Sequence, residues 1–355
     1  MSMSQDQNKA SSLDFILQDI KNRSESYLST IYALQAFIFV TKEFCQLEKS
    51  EIVASIGRRM HYKLNPKKPP CTPDLVIQLH QREGIVGEAK LLICENKDER
   101  WNQYIEQLKK YDTELLGWWT KNYCIDETSL VWITELAFSA KLSEFIQEKI
   151  STGAIKFDRP YAILEFAKHQ RAQEFLFLRT VTGAFPNPIM AKVFKDGIDV
   201  SLERMIFENQ EKKFYDAKPQ DVEYIMEILW QNIFTQEVFS DENENVTFDA
   251  DKKIWYVPVD LDVLTKKLQN LYGSDGSKNR EVEYPQISWV KEALNKFVSI
   301  GLAQKSEIDR EYIINFKKFT RPLEKFATLI NKKKGSSKNK GKQLDLFPEH
   351  LLQSE

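Results

Sequence analysis

The chain contains few cysteines. Paired cysteines at short spacing are what zinc ribbons and disulfide frameworks require. No Cys-x-x-Cys pair occurs among the 355 residues, and the four cysteines are widely scattered, at Cys45, Cys71, Cys94 and Cys124. This spacing argues against both kinds of site.

The sequence also lacks a long apolar stretch. No run approaches the roughly 20 apolar residues that cross a bilayer, and residues 1–9 contain no apolar signal-peptide core. We therefore expect a cytoplasmic protein with no membrane partner. With 42% hydrophobic residues, the chain is long enough for two or three cores.

A basic excess, the usual electrostatic signature of DNA-binding proteins, is absent, because the net charge is −2. Basic residues are nevertheless concentrated in one short stretch, where they could bind phosphates: Arg58, Arg59, Lys63, Lys67 and Lys68. A solvated basic loop is the alternative interpretation.

Directly after this stretch, two apolar runs predict a β-hairpin. Residues 74–79 and 85–93 are rich in β-branched and apolar side chains, and a polar, glycine-ended turn separates them. Glu88 and Lys90 must share one face of the second strand. With a turn centred near Gln81, Asp74 lies across from Glu88; a two-residue slip places it across from Lys90, and a one-residue slip sends it to the other face.

Two converging carboxylates are suited to a hard divalent cation such as Mg²⁺ or Mn²⁺. Asp74 and Glu88 are the candidate ligands, with the Ala89 carbonyl as a third. Such an ion lowers the pKa of a bound water and neutralises charge at a phosphodiester, while Lys90 could contact the water or the phosphate. A surface salt bridge is the alternative.

The following segment, residues 98–112, has the apolar spacing of an amphipathic helix. Gln107 and Tyr111 stand four residues apart and project side by side. A helix packed on the hairpin would place both over the metal face, where they could contact the DNA backbone or steady Lys90. Alternatively, Tyr111 is a core residue and Gln107 is solvated.

Together, Pro73-Asp74, Glu88-Ala89-Lys90 and the Gln-x-x-x-Tyr pair resemble the PD-(D/E)XK nuclease superfamily, in the form found in RecB-like and Cas4-like members. The resemblance covers residues 20–150. It implies a restriction-endonuclease-like α/β fold, with a mixed sheet flanked by helices. It also implies metal-dependent DNA hydrolysis, with these catalytic residues: Asp74, Glu88, Lys90, Gln107 and Tyr111. We expect no iron–sulfur cluster, since the cysteines lack the spacing of Cas4-like members.

The patterns divide the chain into an N-terminal segment (1–24), a nuclease core (25–150) and a connector or extension of that core (151–215), followed by a winged-helix-like domain (216–325) and a flexible basic tail (326–355). Within the core, we expect helices over 26–46 and 140–149 and a strand over 130–134. Two further strands are predicted over 161–166 and 174–179.

Three helices, over 221–234, 261–271 and 287–301, precede a hairpin over 302–316. This order resembles a winged helix, whose third helix commonly enters the DNA major groove. Here that helix would offer Ser288, Trp289, Lys291, Asn295 and Lys296 to DNA. A protein-interaction module is the alternative.

Residues 331–342 form a basic Gly/Ser-containing linker that is too polar to pack. It leads to Gln343-Leu344-Asp-Leu346-Phe347, which resembles the peptide that docks on the bacterial sliding clamp. Gln343 would form hydrogen bonds, and the apolar side chains would fill a cleft. The alternative is a terminal helix that packs on the protein itself.

The combined interpretation is a metal-dependent DNA nuclease that acts in replication-linked repair or in defence against invading DNA. Its expected partners are DNA and the sliding clamp, and the sequence leaves open whether a homodimer cuts both strands. The alternatives are a non-catalytic DNA-binding adaptor with a degenerate nuclease core and an RNA-directed nuclease.

Overall fold

The computed structural model describes residues 3–44, 53–56, 73–79, 82–90, 97–114, 118–119, 124–170, 173–215, 217–239, 245–273, 283–318 and 320–337. The chain forms two compact units. The larger comprises residues 25–218 and 265–286, and the smaller comprises residues 1–24, 219–264 and 287–355.

The larger unit is built on a seven-stranded mixed sheet, in the order β1-β2-β3-β6-β7-β8-β9. Strands β3, β6 and β7 are parallel, and the other neighbours in this sheet are antiparallel. A separate two-stranded pair joins β4 to β5. The strands are β1 (Val53–Ile56), β2 (Leu75–Gln78), β3 (Glu83–Lys90), β4 (Trp118–Trp119), β5 (Cys124–Ile125), β6 (Glu127–Glu135), β7 (Tyr161–Gln170), β8 (Glu174–Gly183) and β9 (Ile198–Ser201).

Helices cover both faces of the large sheet, because its central strands are apolar on both sides. On one face, α2 and α3 pack over a core that includes Val86, Leu130 and Trp132. On the other, Phe37 of α1 lies 5.1 Å from Phe194 of α4, between ring centroids. The helices are α1 (Met3–Glu43), α2 (Lys97–Glu114), α3 (Leu136–Ser151), α4 (Pro188–Asp196) and α5 (Leu202–Asn209). The expected class, a mixed α/β sheet with flanking helices, is confirmed.

The predicted antiparallel pairing of the two hairpin strands is also confirmed. Strands β2 and β3 pair antiparallel, with Leu75 opposite Gly87 and Gln78 opposite Gly84. Continuing this register by one residue places Asp74 across from Glu88. Gly87 leaves room for this close pairing, because a Cβ atom there would lie 3.3 Å from the side chain of Leu75.

The smaller unit contains a four-stranded antiparallel sheet, in the order β10-β11-β13-β12. Its core is aromatic: the ring of Trp230 lies 4.9 Å from that of Phe316 and 5.6 Å from that of Phe297. The remaining elements are α6 (Val222–Ile228), a π-helical segment (Leu229–Phe234), α7 (Thr235–Phe239), β10 (Thr247–Asp249), β11 (Ile254–Asp260), α8 (Leu261–Tyr272), α9 (Ile287–Ser299), β12 (Ala303–Lys305), β13 (Glu311–Phe316) and α10 (Pro322–Ser337). Of these, α8 belongs to the larger unit from Thr265 onward.

Several sequence-based expectations need correction. Helix α1 begins at Met3 rather than near residue 26, since Ile20 already supplies a buried contact before that point. Helix α10 continues to Ser337, into the predicted linker, because lysine is a good helix former and the helix is anchored by buried Phe326. Trp289 is buried, so the prediction that it faces DNA is wrong. The short strands β1, β4, β5, β9 and β10 were not predicted, and neither was the longer strand β11.

None of the described helices is long and apolar enough to cross a membrane.

Candidate active site

Two acidic side chains and a lysine meet at the end of the hairpin. Asp74 and Glu88 are each only 2% exposed. Lys90 Nζ lies 3.0 Å from Glu88 Oε2 and 3.9 Å from Asp74 Oδ2. The backbone N–H of Ala89 donates to Asp74 Oδ2 over 3.2 Å, which ties the acidic side chain to the neighbouring strand. The alternation of strand side chains, together with the register, therefore brings the three predicted residues to one point.

Helix α2 completes this cluster. Gln107 Nε2 donates to Glu88 Oε1 over 2.7 Å and to Tyr111 Oη over 3.0 Å, and the Tyr111 hydroxyl also donates to Glu88 Oε1. Tyr111 is 1% exposed and belongs to the core, so it is both a packing residue and a hydrogen-bond donor. The predicted proximity is confirmed, but these donors hold the carboxyl group of Glu88 rather than Lys90.

Burial dominates the electrostatics of the cluster. Desolvation, reinforced by the charge of Asp74, raises the pKa of Glu88 from 4.5 to about 8, although Lys90 and the Tyr111 hydroxyl act in the opposite direction. Burial and the adjacent Glu88 also raise the pKa of Tyr111 well above its usual value of 10.0. Tyr111 therefore remains a neutral donor, and Glu88 can hold a proton near neutral pH.

One aromatic ring lies against Lys90. The ring centroid of Tyr104 lies 5.6 Å from Lys90 Nζ, and the same ring makes an edge contact with Trp132. Trp132 is the strand neighbour of Glu88 on β6. Tyr104 was not among the predicted site residues, although its place three residues before Gln107 puts it on the same side of an α-helix.

The chemistry of these groups fits a divalent cation. Oxygen ligands suit Mg²⁺ or Mn²⁺, and two buried carboxyl groups beside each other are stabilised by a positive charge. Asp74 and Glu88 supply these oxygens. No group of three or more His, Cys, Asp or Glu side chains with metal-binding geometry occurs in the described ranges. Within those ranges, the Ala89 carbonyl is the third ligand that the sequence offers beside the two carboxyl groups.

The other predicted binding residues belong to the smaller unit or lie outside the described ranges. Lys291 is exposed on α9 in the smaller unit, beside exposed Ser288. The basic stretch and the tail peptide are not among the described residues: Arg58, Arg59, Lys63, Lys67, Lys68, Gln343, Leu344, Leu346 and Phe347.

The chain was compared with models of known protein families, with curated proteins and with solved structures, and none of these comparisons found a match.

Proposed function

We propose that this protein is a metal-dependent deoxyribonuclease of the PD-(D/E)XK type. The observation that carries the proposal is the convergence of Asp74, Glu88 and Lys90, with Gln107 and Tyr111 bonded to the same Glu88 oxygen. A surface salt bridge does not require two carboxyl groups that are almost fully buried. Their burial is destabilising unless protons or cations compensate for it, so a functional role accounts for the arrangement better.

In this proposal, Asp74, Glu88 and the Ala89 carbonyl would hold Mg²⁺ or Mn²⁺, and the bound ion would supply a water of lowered pKa and neutralise charge on the phosphodiester. Lys90 would donate to a phosphate oxygen or to the attacking water. Its side chain is 17% exposed, so it is less buried than the side chains of Asp74 and Glu88, which are each 3% exposed. Gln107 and Tyr111 are positioning residues that orient Glu88.

The test is cleavage of supercoiled, linear and single-stranded DNA in Mg²⁺, Mn²⁺ or EDTA. We expect metal-dependent cutting by the wild type, and a loss of at least about 100-fold in Lys90→Ala, because charge stabilisation in the transition state is removed. Lys109→Ala is the matched control, since this α2 lysine pairs with Glu106 outside the cluster. Equal cutting by Lys90→Ala and wild type would refute the assigned site. No cutting by the wild type, with DNA binding retained, would favour the non-catalytic adaptor.

The smaller unit is proposed to be a winged-helix-like DNA-binding module. The supporting observation is its order of elements: α9 leads into β12, and the sheet runs β11-β13-β12, as in winged helices. Lys291 and Ser288 are the exposed α9 residues that would contact DNA. A contact between Lys291 and a phosphate of duplex DNA makes a specific prediction. In Lys291→Ala, the slope of log affinity against log salt concentration should become shallower by about 0.9.

We propose the sliding clamp as the partner of the tail, on the resemblance of Gln343–Phe347 alone. Clamp capture by wild type, lost in a Leu346→Ala, Phe347→Ala double variant, is the expected result. Retention by the double variant would refute this part of the proposal. A clamp-tethered nuclease would work at replicating DNA, either in repair or in defence against invading DNA.

A further inference from the structure

A second ion pair lies in line with Lys90 across the sheet. In register, Lys90 neighbours Thr134, Thr134 neighbours Glu165, and Glu165 neighbours Arg179. Adjacent strands are about 4.8 Å apart, so the backbone of Arg179 is roughly 14 Å from that of Lys90. The positively charged residues Lys90 and Arg179 are therefore separated by the length of a few nucleotides.

Arg179 is held by a buried acidic side chain. Glu165 is 3% exposed and accepts from Arg179 Nε over 2.7 Å and from Ser139 Oγ over 2.7 Å. Arg179 Nη2 also approaches the same carboxyl group at 2.5 Å. The arginine side chain is still 49% exposed. Because a guanidinium has five N–H donors, this geometry fixes the group and leaves donors for an anion.

Strands β7 and β8 continue past this ion pair. Opposite one another on the same face stand Ala167 with Phe177 and His169 with Phe175. The Arg179 guanidinium lies 5.8 Å from the ring centroid of Phe177, and the His169 and Phe175 rings stack at 5.8 Å. We call this surface the β7–β8 wall; it comprises Ala167, His169, Phe175, Phe177 and Arg179.

Helix α3 does not cover the wall. Its residue Ser139 bonds to Glu165, and Ser143 bonds to Thr182, so the helix runs from the ion pair toward the amino end of β7. The wall extends the other way, and its aromatic rings are only half-buried. The Phe177 ring fits beside Gly197 because glycine has no side chain. A Cβ atom at this position would lie only 2.8 Å from the ring.

We propose that the β7–β8 wall binds an unpaired DNA strand that leads to the Asp74–Glu88–Lys90 cluster. Arg179 binds a backbone phosphate, and the rings of Phe177 and Phe175 contact bases. Alternation of a fixed cation with partly exposed aromatic rings is the chemistry by which proteins hold single strands, since every base has a face that can stack. A duplex, whose bases are already stacked, would use only the arginine. This inference rests on the proposed nuclease function and assigns its substrate as single-stranded or frayed DNA.

The test measures binding rather than cleavage. A labelled single-stranded oligonucleotide is titrated with the full chain in EDTA, and fluorescence anisotropy gives the affinity over a range of salt concentrations. The variants are Arg179→Gln, Arg179→Lys and Phe177→Leu. The controls are Arg204→Gln, whose side chain is 52% exposed and pairs with Glu208, and Phe207→Leu, whose side chain is 89% exposed. Both controls lie on α5, which packs on the opposite face of the sheet with α1.

We expect Arg179→Gln to weaken binding about tenfold and to reduce the salt dependence, the slope of log affinity against log salt, by about 0.7, the value for one single-strand phosphate. Arg179→Lys should retain that salt dependence, because the charge remains. Phe177→Leu should also weaken binding about tenfold, but with the salt dependence unchanged. A purely structural role for Arg179 would leave the salt dependence as it is.

Wall variants that bind like their controls, or a wild type that binds no single strand, would overturn the proposal. If wild type and Arg179→Gln bind equally and both cut DNA, the wall is refuted while the nuclease stands. If binding depends on Arg179 but the wild type cuts nothing, the wall is supported and the nuclease is refuted.

Discussion

The raised pKa of Glu88 predicts how the stability of the metal-free protein depends on pH. In the unfolded chain this carboxyl group ionises near its usual pKa of 4.5, whereas in the folded protein it holds its proton up to about pH 8. Between these values the folded state binds more protons than the unfolded state. The free energy of unfolding therefore falls as the pH rises.

The magnitude follows from one proton. Each increase of one pH unit within this window lowers the free energy of unfolding by about 1.4 kcal/mol. Glu88 alone therefore removes roughly 3 kcal/mol of stability between pH 5.5 and 7.5. Glu88→Gln keeps the shape of the side chain and removes its titration. As the pH rises from 5.5 to 7.5, the wild type should lose that amount of unfolding free energy relative to Glu88→Gln.

Urea unfolding in EDTA, followed by tryptophan emission, measures this difference, because Trp101 and Trp132 are buried in the core below the site. Glu106→Gln, at an exposed acidic position on α2, is the control and should follow the wild type. Saturating Mg²⁺ should flatten the wild-type curve if the ion binds ionised Glu88. Parallel curves for wild type and Glu88→Gln across the whole window would refute the assigned burial and charge of the cluster.

Two further predictions concern single contacts. Tyr111→Phe removes a hydrogen-bond donor to the ionised form of Glu88, so the pKa of Glu88 should rise further. The pH profile of metal binding, measured by calorimetry, should then move upward by about one pH unit. An unchanged profile would contradict this prediction. Gly183→Ala should destabilise the larger unit by about 2–4 kcal/mol in urea unfolding, because φ is +74° and the new Cβ would lie 2.1 Å from the Tyr161 carbonyl oxygen. Gly153→Ala, with φ +73° but no atom within 4 Å, should cost only about 1 kcal/mol, and equal losses in both variants would contradict the steric explanation.

The central part of the site could be predicted because it depends on local periodicity. The two-residue repeat of a strand places Glu88 and Lys90 on one face, and the four-residue spacing on a helix pairs Gln107 with Tyr111. The hairpin register followed from one assumption about its turn, and the buried apolar side chains on β2 and β3 enforce it. Local sequence therefore carried nearly all the information needed to bring these residues together.

The β7–β8 wall could not be predicted in this way. Glu165 and Arg179 meet only because β7 and β8 pair, and they align with Lys90 only because β6 lies between β3 and β7. Nothing in the local sequence around Arg179 specifies that order of strands. For the same reason, β9 was missed: its four residues carry too short a pattern, and its pairing with β8 defines it.

The structure joins both residues of the Gln-x-x-x-Tyr pair to Glu88, a contact that the sequence left undecided. Both residues donate to Oε1 of Glu88, and a hydrogen bond to an ionised carboxyl group favours ionisation. Burial and Asp74 favour the protonated form instead, and together they prevail in the metal-free protein. At the proposed metal site, a proton and a divalent cation would therefore compete for Glu88, and each donor from α2 would shift that competition toward the cation. The pair then serves the site through Glu88, so replacing either residue should weaken metal binding before it affects contact with DNA.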